Sequence, residues 1–237
     1  MVKKLKYMGE EKGNLLMKKI DASLMWLYKQ IPFTYFGKFY RPFREYLDSN
    51  EKITVLDLGC GDGSATKNLG LPKNFEITGV DIFPPYLRIA RQQKVYKKLI
   101  QMDVAKYRPD KKYDIVMTLH VLEHFNKTDG LRYLKRIEKF AVKKVIVATP
   151  IGHFPQAEYD KNPHQLHKSY WMPKEMIKRG YKVEVQGLRI LWGNENVGVK
   201  YGIFSYLLFL ISGLLTPLLR LNPDLGTYMI CEKKIIK

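Results

Sequence analysis

Apolar residues along this chain fall in short, β-branched runs separated by longer polar or amphipathic stretches. Ile53–Leu58, 76–81, 98–102, Tyr113–Leu119 and 144–149 read as strands, with helical patterning between them. Runs such as Val145-Ile146-Val147-Ala148 are apolar at every position, so both faces of such a strand must be covered. Alternation of these strands with helices predicts an α/β fold with a doubly wound, mostly parallel sheet. Further on, 173–179 reads as a helix capped by Gly180, with strands at 182–189 and 227–233 bringing the sheet to seven. Upstream, Met17, Ile20, Leu24, Leu27 and Ile31 recur at spacings of three and four, predicting an amphipathic helix over 14–31 that Pro32 stops. Phe33, Tyr35, Phe36, Phe39, Tyr40, Phe43 and Tyr46 follow, suited to packing against the sheet or to a lid over a bound ligand, with one or two tyrosines left to face a site. Residues 1–50 thus read as an N-terminal helical cap and 51–237 as the α/β domain.

The first strand ends in Asp57-Leu58-Gly59-Cys60-Gly61-Asp62-Gly63, and Ser64 opens a helical segment. Glycines let the backbone turn sharply and approach a ligand closely, and a helix start offers unpaired N–H donors. The unit therefore suits a nucleotide-like cofactor. A dinucleotide fingerprint would place its third glycine at 64, where this chain has serine.

This D-x-G-x-G-x-G pattern resembles the first motif of the class I methyltransferases that use S-adenosylmethionine. Ile77-Thr78-Gly79-Val80-Asp81, Gln101-Met102-Asp103-Val104 and the stretch from Tyr113 to His124 resemble the next three motifs in order, covering residues 53–150. The resemblance implies a Rossmann-like methyltransferase fold and S-adenosylmethionine as cofactor. By it, Asp57 orients the glycine loop and the cofactor's amino-acid end, and Gly59, Cys60, Gly61 and Gly63 form the close turn. Asp81, followed by Ile82, takes the ribose hydroxyls, and Asp103 takes the adenine amino group with Val104 beside it. The backbone after Leu119, at His120, meets the methionyl ammonium. The implied reaction is in-line displacement of a methyl group onto a small, hydrophobic acceptor, as in the quinone-pathway methyltransferases the core resembles. An RNA acceptor and a non-catalytic cofactor-binding scaffold are the alternatives.

All five histidines lie between 120 and 167. His120 and His124 follow one strand; His153, His164 and His167 follow the next, so all fall on the rim where open α/β sheets bind ligands. His124, His153 or His164 is in place to act as general base for an acceptor that carries a proton, and Glu123 is a weaker candidate. The spacing of His164 and His167 could chelate a metal with His153 or Asp160. No thiolate or second acid is spaced to complete a site, and no metal is expected.

Composition changes this picture in three places. The formal net charge of +18 suits RNA, an anionic membrane surface or simply a lysine-rich solvated face, and no nucleic-acid motif accompanies it. The two cysteines, Cys60 and Cys231, form neither a disulfide framework nor a metal set, and with no signal peptide at the start they point to a reducing cytoplasm. Residues 201–219 carry no charge and lie in a hydrophobic insertion at about 195–224. A bilayer crossing would strand the last β-strand on the wrong side and Pro217 interrupts the run, so an interfacial contact at the inner face of the membrane fits better. A buried pocket cover or a dimer contact are the alternatives for this segment, and the oligomeric state stays open.

Overall fold

A computed structural model describes residues 41–47, 50–158, 160–192, 211–212 and 215–236. The helix expected over 14–31 and most of the charge-free run at 201–219 lie outside them.

The described strands are β1 (Ile53–Leu58), β2 (Phe75–Asp81), β3 (Lys98–Gln101), β4 (Tyr113–Leu119), β5 (Ala141–Pro150), β6 (Lys182–Leu188) and β7 (Gly226–Lys234). They form one sheet in the order β3-β2-β1-β4-β5-β7-β6. The first five run parallel. β7 is antiparallel to both β5 and β6, between which it lies. The helices are α1 (Ser64–Leu69), α2 (Pro84–Gln92), α3 (Lys127–Glu138), α4 (Pro173–Ile177) and the single turn α5 (Arg189–Trp192).

Successive strand side chains point to opposite faces, and both faces here are apolar. Leu56, Leu58, Val116, Val145 and Val147 pack with Tyr133, Leu134 and Ile137 of α3. Ile53, Val55, Ile115, Met117, Ile146 and Ala148 pack with Phe43, Leu69 and Phe75. Phe43 is thus one of the upstream aromatic residues that does pack against the sheet.

β5 begins at Ala141, three residues before its expected start at 144. Lys144, the first residue of the expected strand, is buried in its interior. Its ammonium lies 2.7 Å from Glu45 and 2.8 Å from Glu232, and it donates to the Pro42 carbonyl at 2.6 Å. A buried cation is tolerable when paired and hydrogen-bonded in this way.

At the end of the charge-free run, Ser212 and Thr216 face the protein rather than water. Ser212 Oγ accepts from the Leu188 N–H at 2.7 Å, and Thr216 Oγ1 donates to the Ser212 carbonyl at 2.9 Å. The side that remains outward carries Ile211, Leu218 and Leu221, all exposed. Among the described residues, no helix is long and apolar enough to cross a membrane.

Candidate active site

The carboxyl ends of β1, β2 and β4 meet at the glycine turn. Gly59 and Cys60 donate from their N–H groups to the Val80 carbonyl at 2.8 and 3.1 Å, tying the turn to β2. Gly59, Gly61 and Gly63 all have positive φ, between 55 and 78°. They differ in surroundings. A Cβ on Gly59 would lie 2.3 Å from a Val121 methyl, whereas one on Gly61 would meet nothing within 4 Å. Gly59 is therefore pressed against the loop after β4, and Gly61 borders open space. Cys60 is buried, and burial pushes its thiol up, so it serves the turn through its backbone.

Asp57 lies beneath the turn, 1% exposed. Its Oδ2 accepts from Thr66 Oγ1 at 2.6 Å and from the Tyr96 hydroxyl at 2.8 Å. Burial raises its carboxyl to about 6, against the opposing pull of these two donors. The bonds join β1 to α1 and to the segment before β3. Thr66 and Tyr96 carry no sequence signal that would single them out.

Asp81 closes β2. Its Oδ2 accepts from the Gly61 N–H at 2.9 Å and its Oδ1 from the Phe83 N–H at 2.8 Å, bracketing Ile82. Burial raises its carboxyl, with these N–H groups and the charge of nearby His164 acting the other way. Asp103, beyond β3, is half-buried and holds its own turn: Oδ1 accepts from the Ala105 N–H at 2.7 Å. The carbonyl of Val104 accepts from Arg136 at 3.0 Å, linking this turn to α3.

The loop after β4 is the most constrained part of the rim. Leu119 is buried, and His120 takes a left-handed backbone, φ 57°, while its N–H donates to the Ala148 carbonyl at 2.9 Å. Glu123 is 2% exposed, and its Oε2 accepts from Thr149 Oγ1 at 3.0 Å. Its Oε1 lies 3.4 Å from His120 Nδ1, close enough for an ion pair, but is left without a hydrogen bond. Burial would raise the Glu123 carboxyl, yet the neighbouring imidazoles of His120 and His124 hold it below its ordinary value.

The backbone carbonyl of Glu123 accepts from the N–H groups of Lys168 and Ser169, at 2.8 and 3.1 Å, pinning the distant histidine segment to this loop. That segment is further held by Trp171, fully buried against Gly130 of α3, whose Oγ partner Ser169 accepts from the indole N–H at 3.0 Å. His124 and His167 therefore meet edge to face, ring centroids 5.0 Å apart. Burial lowers the His124 imidazole from its ordinary value. His153 and His164 are exposed, and the two are placed differently. His153 offers its carbonyl to Arg189 at 2.6 Å, and the His164 N–H donates to Asn162 Oδ1, the cap of a short turn, at 3.0 Å. The pair of His164 and His167 weighed in the sequence is not the cluster that forms; His167 groups with Glu123 and His124.

Residues 33–178 match the methyltransferase domain family. The chain belongs to this family, whose cofactor is S-adenosylmethionine. It is 28% identical over 136 residues to a malonyl-[acyl-carrier protein] O-methyltransferase of Acetivibrio thermocellus, covering 56% of this chain and 45% of that protein. A ubiquinone biosynthesis O-methyltransferase of Rickettsia bellii is 28% identical over 156 residues, with 58% and 64% covered. The match thus spans about half to two thirds of the length of these relatives. Among solved structures, DhpI in complex with SAM and HEP shares the fold at a TM-score of 0.50 and 15% identity, over 94% of this chain and 99% of that one.

Proposed function

We propose that this chain transfers the methyl group of S-adenosylmethionine to an oxygen of a small, apolar acceptor. The sulfonium carbon is already activated, so the protein's task is to align the acceptor in line with it and exclude water. Asp81 carries the reading. Each of its oxygens accepts one backbone N–H, and a carboxylate oxygen has capacity for a second bond, so the two ribose hydroxyls would find two acceptors in fixed places. Gly61 leaves open space beside it. The two O-methyltransferase relatives support oxygen as the receiving atom. Where the acceptor brings a proton, the rim supplies His120, His124, His153 and His164 as bases, and His120 is the ring that a buried carboxylate, Glu123, orients.

Asp81→Ala is expected to leave the fold intact and weaken adenosylhomocysteine binding, measured by calorimetry. Loss of charge-assisted bonds worth about 1.5–3 kcal/mol corresponds to roughly a tenfold to hundredfold rise in Kd. Unchanged affinity, or tighter binding of NAD than of adenosylhomocysteine, would overturn the reading.

The same proposal takes the acceptor from the inner face of a membrane in the cytoplasm. The inward-facing Ser212 and Thr216 leave Ile211, Leu218 and Leu221 outward, in a chain of net charge +18. Apolar side chains at an interface and basic residues near anionic lipid attract in concert. Co-sedimentation with liposomes should rise with anionic lipid content and fall on Ile211→Glu and Leu218→Glu, with adenosylhomocysteine affinity kept. A protein that stays in the supernatant with every lipid tested excludes the membrane route.

A further inference from the structure

From the geometry of the loop after β4 we infer that Glu123, His124 and His167 form a binding site for one divalent transition-metal ion. One ligand atom from each of the three lies within 4.8 Å of the other two. They come from two segments more than forty residues apart, brought together by the bonds from the Lys168 and Ser169 N–H groups to the Glu123 carbonyl.

Three features point to a cation rather than to chance proximity. The first is the buried Glu123 Oε1: its residue is 2% exposed, and the oxygen has no hydrogen bond, only the 3.4 Å ion-pair contact with His120 Nδ1. A buried carboxylate oxygen without a donor is costly, and a coordinated cation removes that cost. The second is how the two imidazoles are held. His124 Nδ1 lies 3.2 Å from the Leu166 carbonyl, and His167 Nδ1 lies 2.5 Å from the Phe154 carbonyl. A carbonyl can only accept, so each Nδ1 carries the proton and each Nε2 keeps its lone pair. Metal-binding histidines are commonly fixed in this tautomer by a bond from the other nitrogen to a carbonyl. The third is the donor set itself. Two imidazoles and one carboxylate suit zinc and its first-row neighbours, and three protein ligands leave at least one position for water or an acceptor oxygen. Magnesium and calcium, which prefer all-oxygen shells, fit it poorly.

The site shares the rim with the glycine turn, since Val121, two residues before Glu123, is the residue pressed against Gly59. A metal here would sit on the acceptor's side of the proposed reaction, and His124 would then be a ligand and not a base. Metal binding itself does not depend on methyl transfer, and it can be read without cofactor.

The full chain, dialysed against EDTA and then freed of the chelator, is titrated with Zn2+ by calorimetry and with Co2+ by visible absorbance. The expected result is one ion per chain, with Co2+ bands showing mixed nitrogen and oxygen ligation. Loss of an outer partner typically weakens a metal site tenfold to hundredfold, so Glu123→Gln and His167→Ala, which remove a ligand, should each weaken binding by at least about a hundredfold. His153→Ala, at an exposed ring outside the cluster, should bind as the unaltered chain does. Saturating Zn2+ should raise the Tm of the unaltered chain but not of the two ligand variants, each compared with itself in EDTA, which separates a lost ligand from a lost fold. No uptake by the unaltered chain overturns the site, as does equal binding by Glu123→Gln and His167→Ala. If His167→Ala does not fold, Glu123→Gln and the Co2+ spectrum of the unaltered chain decide.

Discussion

Gly59→Ala is expected to destabilise the fold by about 2–5 kcal/mol, combining a left-handed backbone cost of 1–2 with the strain of overpacking a filled site. At φ 77° the new methyl would sit 2.3 Å from a methyl of Val121. Neither partner can yield easily. The turn is tied to β2 by two bonds to the Val80 carbonyl, and Val121 belongs to the loop whose next residues are held by Thr149, Lys168 and Ser169. The glycine turn would have to shift off β2, and adenosylhomocysteine binding should be lost with it. Val121→Ala removes the offending methyl groups, so Gly59→Ala should cost less in that background, by about 1–3 kcal/mol, leaving the backbone share. Thermal or urea unfolding of the four proteins of this cycle measures the coupling. Strict additivity would show that Val121 is not what holds position 59 to glycine.

The second large effect concerns pH and Asp57. Its carboxyl is raised to about 6 by burial, so between its unfolded value near 4 and 6 the native state binds more protons than the unfolded chain. Stability must fall as pH rises through that window and stay level above it. The difference amounts to about 3 kcal/mol. Asp81 is raised as well, whereas Glu45 is lowered to about 2 by its bond with Lys144, and Glu76 and Asp114 are also lowered. The contribution of Asp57 is therefore read as a difference. Asp57→Asn keeps an oxygen to accept from Thr66 and Tyr96 and cannot ionise. Its stability relative to the parent should climb by about 3 kcal/mol from pH 4 to pH 7, whatever constant offset the amide brings. Parallel stability profiles across that range would mean that Asp57 ionises in the folded chain as readily as in the unfolded one.

Much of this fold is legible in the sequence because its strands are apolar on both faces. β1 and β4 are bounded as their apolar runs are. At β5 the expected strand starts on Lys144 and misses 141–143, and the partners supplied by Glu45, Glu232 and Pro42 are what make Lys144 an interior residue. α4 ends at Ile177, two residues before the expected 179, where the chain closes on Gly180 with φ 80°. In the site, glycine spacing and the acids closing strands are visible because the backbone turn itself demands those residue types. The meeting of Glu123 and His124 with His167 is not. It depends on backbone N–H groups reaching a backbone carbonyl, and any residue types at 168 and 169 except proline could make those bonds. For the same reason Ser212 and Thr216 could not be assigned to the inward face: their partners are a main-chain N–H and a main-chain carbonyl.

The antiparallel β7 has a consequence for how the chain is made. Among the described strands β6 pairs with β7 alone, and β7 separates it from β5 opposite Ile146 to Pro150. A nascent chain that has emerged only through residue 225 carries β5 with one open edge and β6 with no strand to join. Domains tend to form as units during synthesis, and unpaired strand edges are where partly made chains associate. The nucleotide end of the sheet, β1 to β4, is complete long before that point. Chains released with their last residue at 225 and at 234 should therefore differ sharply in protease resistance at β6, and little at the glycine turn.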